Sequence, residues 1–491
     1  MLNILQVSDL HRSEAAPVSN DVLLESILSD IEKHPNQSPR IPKCDVIVVT
    51  GDLVTGAKIE DPNAPDTLKR QYAQAKDFLL RLCHELLDGD TSRLLMIPGN
   101  HDVSFSTSKN SMEKVVDSSQ YDVFEVLRKP GSAYRWCWKE LALYTIRNPQ
   151  EYVQRLSAYK EFFDDFYHSL NFKFGLEDQE QTLNLVFNGG RALLTGFCSL
   201  HENDCFNRRG KISLDAVASN NKKVRESEWR SIPLKVALWH HSIEGFGYED
   251  DHMNSSEVLP QLIDHGYALG LHGHQHRSEV VSYEYSLNPE QVMPIVACGS
   301  LCAAPYEIPA GYRRQYNMIE IDDVQATVRV HVREWFNNTI WIGPKLPEFG
   351  GKSYKDLQLP ILGGFLAKLS RQPGTATGFA IEQAEIAIRN KDYRRVLSLL
   401  TNVPKDIPIV RRLLFESFQM LGSWRELVNL INTPTNPEEL ALVIDALSKL
   451  KEFSTAVNVL DKSSAEPDKY DRSLIERLRN RLDTERRIDK K

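Results

Sequence analysis

Seven short apolar runs recur along this chain, and five of them stop at Asp, Asn or His. The runs are Leu2–Val7, Val46–Thr50, Leu94–Pro98, Ala192–Phe197, Leu234–Trp239, Tyr267–Leu271 and Pro294–Ala297. Their length and β-branched content predict buried strands rather than helices. Helical patterns lie between several of them, such as Asp21–Lys33 and Thr67–Leu87. Alternation of the two predicts an α/β domain.

The strand endings carry the chemistry. They read Ser8-Asp9-Leu10-His11, Gly51-Asp52, Gly99-Asn100-His101-Asp102, His240-His241 and His272-Gly273-His274-Gln275-His276. Taken singly, Asp and Asn here are also the residues of helix caps and turns. Five such endings in one chain are not ordinary loop chemistry. In an extended segment His274 and His276 point the same way, toward one point in space. Neutral imidazole is a ligand for borderline metals, and Gly273 removes a side chain where the backbone must approach. A carboxylate shared by two divalent ions holds them roughly 3.5–4 Å apart, a spacing suited to displacement at phosphorus.

Length and composition bound the rest. A chain of 491 residues, 41% hydrophobic and 26% charged, predicts a globular protein of two or three domains. A net charge of −8 argues against a broad basic face for duplex nucleic acid. Cys44, Cys83, Cys137, Cys198, Cys205, Cys298 and Cys302 are scattered and odd in number, which predicts reduced thiols and a cytoplasmic protein. The opening residues read as a strand, so no signal peptide is expected, and no apolar run is long enough for a membrane span.

Residues 111–170 interrupt the alternation with aromatics at helical spacing, from Tyr134 and Trp136 to Phe166 and Tyr167. They predict a helical insertion capping the site. Strands near Tyr316–Ile321 and Thr327–Arg333 predict a late hairpin, closing a first domain over 1–340. Gly and Pro residues over 341–378 predict a linker. From 379 to 491 the pattern is helical and repeats. Tyr393, Trp424 and Phe453 lie 31 and 29 residues apart. Each is followed by apolar residues three, four, six and seven positions later, with Ser or Asn at five. That period is similar to degenerate tetratricopeptide repeats, which bind protein partners or copies of themselves.

The motifs D-x-H, G-D, G-N-H-D, H-H and G-H-x-H, in this order, resemble the calcineurin-like metallophosphoesterase family over residues 1 to about 335. The resemblance implies a four-layer α/β/β/α sandwich followed here by the all-α repeat domain. It implies that Asp9, His11 and His276 hold one metal, that Asp52 bridges two, and that Asn100, His240 and His274 hold the second. His241 is the alternative to His240. His101 would face the phosphate and help protonate the leaving oxygen, and Asp102 would orient His101. His272 lies outside the motif and is read as structural. The donor set suits two divalent ions, manganese first and iron, zinc or nickel as alternatives. The implied activity is phosphodiester hydrolysis on nucleotides or nucleic acid, by a nuclease or a cyclic-nucleotide phosphodiesterase. Residues 379–491 would recruit a protein partner or self-associate. The competing reading is a metal-bound scaffold or sensor whose repeats do the work; retention of His101 counts against it. Weaker site candidates are Asn207, Arg208, Arg209, His201, Asn203, Gly299 and Ser300.

Overall fold

Runs such as Val46-Ile-Val-Val-Thr50 pair because β-branched side chains pack well on a pleated surface covered on both faces. The computed structural model describes residues 1–129, 131–187, 190–243, 251–253, 255–284, 291–337, 340–370, 380–381, 383–384, 387–388, 391–401, 403–405, 407–465, 470 and 472–489. The chain divides into two compact units, Met1–Phe365 and Leu366–Lys491.

In the first unit, β1 (Leu2–Val7), β2 (Val46–Thr50) and β3 (Leu94–Ile97) pair in parallel. The sheet continues antiparallel from β1 through β13 (Gln315–Asp322) and β14 (Thr327–Phe336), which pairs with β15 (Ile340–Ile342) and β16 (Tyr354–Gln358). A second sheet runs β11 (Glu279–Glu284), β12 (Val292–Ala297), β10 (Tyr267–His272), β9 (Leu234–Leu238), β8 (Ala192–Phe197), β7 (Thr182–Phe187). The two sheets face one another. Gln6 Nε2 donates to His272 O at 3.0 Å, and Asn317 Nδ2 reaches both Gln6 Oε1 and Ala297 O.

Helices cover the outer faces. The helix Asn20–Ile31, capped by the Ser19 hydroxyl, lies on β13–β15 through Asp30 and Ser26. The helix Ala64–Leu87 packs beside it. On the other side Val217 of helix Leu214–Glu226 and Val258, Leu259 and Leu262 of helix Ser255–Asp264 share a core with Phe197, Ala237, Tyr267 and Ile295. The layers are therefore α/β/β/α, as expected.

Two expectations change. The insertion is mixed rather than helical: β4 (Met112–Lys114), β6 (Ala142–Ile146) and β5 (Tyr134–Cys137) form a third sheet, and helices follow at Pro149–Val153 and Ser157–Phe166. Strands of three to five residues are too short to show a period of two against the aromatic background. The stretch 341–378, read as a linker, carries β15, β16 and the helix Pro360–Ser370; its residues 371–378 lie outside the described set. Pro347, Gly350 and Gly351 serve the turn between β15 and β16, and the first unit runs to Phe365 rather than 340.

A buried ion pair ties the first helix to its sheet. Arg333 Nε and Nη2 donate to the two oxygens of Asp30 at 2.8 and 2.5 Å, with the Tyr316 hydroxyl on Oδ2. Burial pushes the Asp30 carboxyl up, but His34, Arg333 and Tyr316 outweigh it and hold the group well below the usual carboxylate range. Asp30→Asn leaves the Arg333 guanidinium uncompensated and should cost about 3–5 kcal/mol, read by urea denaturation. Because the folded value is depressed, the wild-type contribution is present above the unfolded value near about 3.9 and is lost as pH falls toward the folded one. Equal stability of the two proteins at neutral pH would refute this assignment.

In the second unit the sequence period becomes a packing period. The segments starting at Tyr393, Trp424 and Phe453 open the helices Tyr393–Leu399, Trp424–Ile431 and Phe453–Ser464. In each, the third and seventh residues after the aromatic are buried: Val396 and Leu400, Leu427 and Ile431, Ala456 and Leu460. The fifth, Ser398, Asn429 or Asn458, is exposed. Helices Pro408–Leu421, Pro437–Lys449 and Arg472–Asp489 alternate with them and complete two apolar cores.

Candidate metal centre

The parallel pairing of β1 with β2 and of β9 with β10 runs past the strand ends. Asp9 N donates to Gly51 O, His11 N to Asp52 O, and Gly273 N to His240 O. Side chains beyond the strands are thereby brought to one edge of the two facing sheets. The approach is close enough to require glycine. Gly51 has φ +98°, and a Cβ there would collide with the His240 ring; one on Gly273 would collide with Ser8 and Asp9. Asp9, His11, Asp52, His274 and His276 all adopt φ between 42° and 74°. Non-glycine residues rarely occupy this region, and such strain gathers at functional sites.

Seven side chains meet here. His11 Nε2 lies 3.3 Å from His276 Nε2, and His276 Nε2 lies 3.2 Å from Asp9 Oδ1. A second group forms around His240 Nε2, with Asn100 Oδ1 at 3.1 Å, His274 Nδ1 at 3.3 Å and Asp52 Oδ2 at 3.3 Å. Asp52 Oδ2 is also 3.9 Å from His11 Nε2, so its carboxylate stands between the groups. Its other oxygen accepts from His101 N at 2.8 Å. Asp9, His11 and Asp52 are buried, and His240 is fully so.

These atoms fit a cation better than they fit one another. Asp9 Oδ1 is buried yet accepts no hydrogen bond. Two imidazole nitrogens face each other in each group, and such a pair needs a shared proton or a shared ion. Burial pushes the Asp52 carboxyl up, but His240, His101 and His11 hold it well below its ordinary value. Burial would lower His240, but Asp52 and Asp9 hold it up at about 9. Burial brings His11 down to about 3. A metal must displace the His240 proton, and Asp9, His11, His276 and Asn100, His240, His274, joined by Asp52, can hold two ions. The N/O donor set without cysteine suits divalent first-row metals.

The other sequence candidates sort by contact. His240 Nδ1 donates to Thr50 O at 2.7 Å, which turns Nε2 into the cluster. His241 is turned away, with Nδ1 at Ser199 Oγ and Nε2 at Asn203 Nδ2, so His240 is the one whose Nε2 faces Asn100, His274 and Asp52. His272 is buried, donates Nδ1–H to Gly273 O and stacks on Trp239, a structural role. Ser300 Oγ donates to Asp9 O, and Gly299 packs on Gln315. Asn207 braces its own loop, Arg208 lies over the Phe105 ring, Arg209 is exposed, and His201 sits 3.0 Å from Asp178.

One role is corrected. Asp102 was expected on the second nitrogen of His101. Instead His101 Nδ1 donates to Thr55 O at 2.7 Å. The Asp102 carboxylate turns inward, taking hydrogen bonds from Gly99 N, Leu53 N and the Tyr72 hydroxyl. Burial first, then Asp52, pushes it up to about 7. The tight turn at Gly99 leaves backbone donors that need this acceptor, and they take precedence over the ring. Thr55 was missed because a backbone carbonyl leaves no mark on sequence. Ser199, whose hydroxyl takes hydrogen bonds from His240 N and His241 N, was missed although it follows β8 as the ligands follow their strands.

Among solved structures, three to which the chain is similar are GAP50, the anchor in the inner membrane complex of Plasmodium, 5'-nucleotidase from Candida albicans and Vps29 from Entamoeba histolytica. GAP50 is 12% identical over 73% of this chain and 88% of its own, with a TM-score of 0.34. The nucleotidase is 11% identical over 69% and 52%, with 0.31. Vps29 is 9% identical over 73% and 99%, with 0.26. A comparison with curated proteins returned no match. No helix among the described residues is long and apolar enough to cross a membrane. The model of calcineurin-like phosphoesterases matches residues 2–278, more than half the chain and all five strand-end motifs up to His276, and the chain belongs to that family.

Proposed function

We propose that the first unit is a dinuclear-metal hydrolase of phosphodiesters, acting on nucleotides or nucleic acid, with manganese as the first metal to try. The observation that carries this reading is the position of Asp52 Oδ2, 3.3 Å from His240 Nε2 and 3.9 Å from His11 Nε2, between two ligand groups. Asp9, His11 and His276 would hold one ion, Asn100, His240 and His274 the other. Bound divalent ions supply Lewis-acid polarisation of phosphoryl oxygens and of water. The chain's own residues do the rest. His101 gives Nδ1–H to Thr55 O, which orients the ring and leaves Nε2 to donate a proton to the leaving oxygen. His11, edge-on to His101 at 4.6 Å, fixes the ring's other side. The net charge of −8 favours small or single-stranded substrates over duplexes. The period of about thirty residues in the second unit, with aromatics at Tyr393, Trp424 and Phe453, supports a role in binding a protein partner or another copy of the chain.

The test is hydrolysis by the full chain with Mn²⁺ on a bis-aryl phosphodiester, an aryl phosphomonoester, cyclic nucleotides, and single- and double-stranded DNA and RNA. Turnover on diesters supports the reading. Turnover on the monoester alone overturns the diester assignment. Silence with two ions bound moves the function to the repeats.

A further inference from the structure

His274 differs from the other ligand histidines in what holds its far nitrogen. His240 and His276 give Nδ1–H to neutral backbone carbonyls, Thr50 O and Glu307 O, each at 2.7 Å. His274 instead turns Nδ1 toward His240 Nε2 and sets Nε2 3.2 Å from a carboxylate, Asp251 Oδ2. Asp251 belongs to no motif. It is placed by its neighbour Met253, whose N donates to Ser242 O at 2.6 Å and which bridges to Gly210. The Met253 side chain is buried in the core with Trp239 and Val258.

The two ligand groups are also unequal in charge. The first offers Asp9 and the shared Asp52. The second offers only the shared Asp52, because Asn100 replaces a carboxylate with a neutral amide. A carboxylate on the far side of a ligand imidazole fixes the tautomer, makes the ring a stronger donor and adds negative charge without taking a coordination position.

Resting on the metal reading above, we propose that Asp251 is a positioning residue for the second ion: its carboxylate, 3.2 Å from His274 Nε2, holds that side of the ring, directs Nδ1 into the cluster, and supplies the charge that Asn100 does not. Loss of such partners typically weakens metal affinity about 10–100-fold.

The experiment titrates Mn²⁺ into the metal-free full chain and follows binding by calorimetry and by electron paramagnetic resonance. The proteins are wild type, Asp251→Asn, Asp251→Glu and, as a neighbour control, His252→Ala. Wild type should take up two ions and develop the spin-coupled signal of a manganese pair. Asp251→Asn should keep the first ion at unchanged affinity and bind the second about 10–100-fold more weakly, so that coupling develops only at higher Mn²⁺. Asp251→Glu should recover part of the loss, and His252→Ala should behave as wild type. Two ions bound as tightly in Asp251→Asn as in wild type would overturn this inference alone. Equal weakening of both ions with a lower melting temperature would also overturn it, by showing a general structural role. A wild-type chain that binds no ion would overturn the metal reading and this inference together.

Discussion

On the dinuclear reading proposed above, Asp52→Asn should leave a folded chain that holds at most one ion and hydrolyses phosphoesters roughly 10³-fold more slowly or worse. The asparagine keeps the size of the side chain and can still accept from His101 N, as Asp52 Oδ1 does at 2.8 Å. What it removes is the charge between His240 Nε2 and His11 Nε2. A neutral amide cannot bridge two cations, so the second ion leaves and the paired clamp on the phosphoryl oxygens is lost. Asp52→Ala goes further, because it also frees the turn at Gly99, whose backbone packs directly on the Asp52 carboxylate. Metal content by mass spectrometry, with circular dichroism to establish folding, reads the outcome. Wild-type metal content in Asp52→Asn would remove the bridging role.

His101→Ala should separate binding from chemistry. The ring lies beside the ligand groups and is anchored at Thr55 O, so its loss should leave two ions in place. General-acid groups contribute typically about 10²–10⁴-fold, and kcat should fall within that range while metal content stays unchanged. The loss should be smaller for an aryl leaving group, which departs readily without a proton, than for a nucleoside. An equal loss on both substrates would argue against proton donation. Asp102 makes a useful contrast. Its carboxylate serves Gly99 N, Leu53 N and Tyr72, not the His101 ring. Asp102→Asn would set an amide donor against buried N–H groups, and should reduce stability by about 1–3 kcal/mol while affecting turnover far less than His101→Ala.

The strands of the site were legible because their signal is local. β1, β2 and β8 begin and end where the apolar runs Leu2–Val7, Val46–Thr50 and Ala192–Phe197 do. Each run is short, mostly apolar and buried on nearly every position, so the pattern is determined by the strand itself. The side chains that meet at the strand ends were legible for a related reason. Metal chemistry restricts the residue types to Asp, Asn and His, and the fold restricts their place to strand ends. The three-stranded sheet of the insertion was hidden by aromatics whose spacing also suits a helix. β15 and β16 were hidden by glycines and prolines, which mark edge-strand turns as readily as linkers.

Other features have no local signal. Asn100 and His240 meet across 140 residues, and nothing in either segment names the other. The choice of His240 over His241 depends on Thr50 O at the end of β2 and on Ser199 just beyond β8, in segments far apart along the chain. Thr55 took the place expected for Asp102 because backbone donors at a tight turn competed for the carboxylate. The amino-acid sequence by itself determined which side chains stand at the strand ends and which faces of the repeats are apolar, because both follow from the periodicity of one segment. Tertiary structure alone decided which nitrogen of each histidine faces the cluster and which carboxylate serves it, because hydrogen-bond partners are chosen among groups that meet only after the two sheets pack.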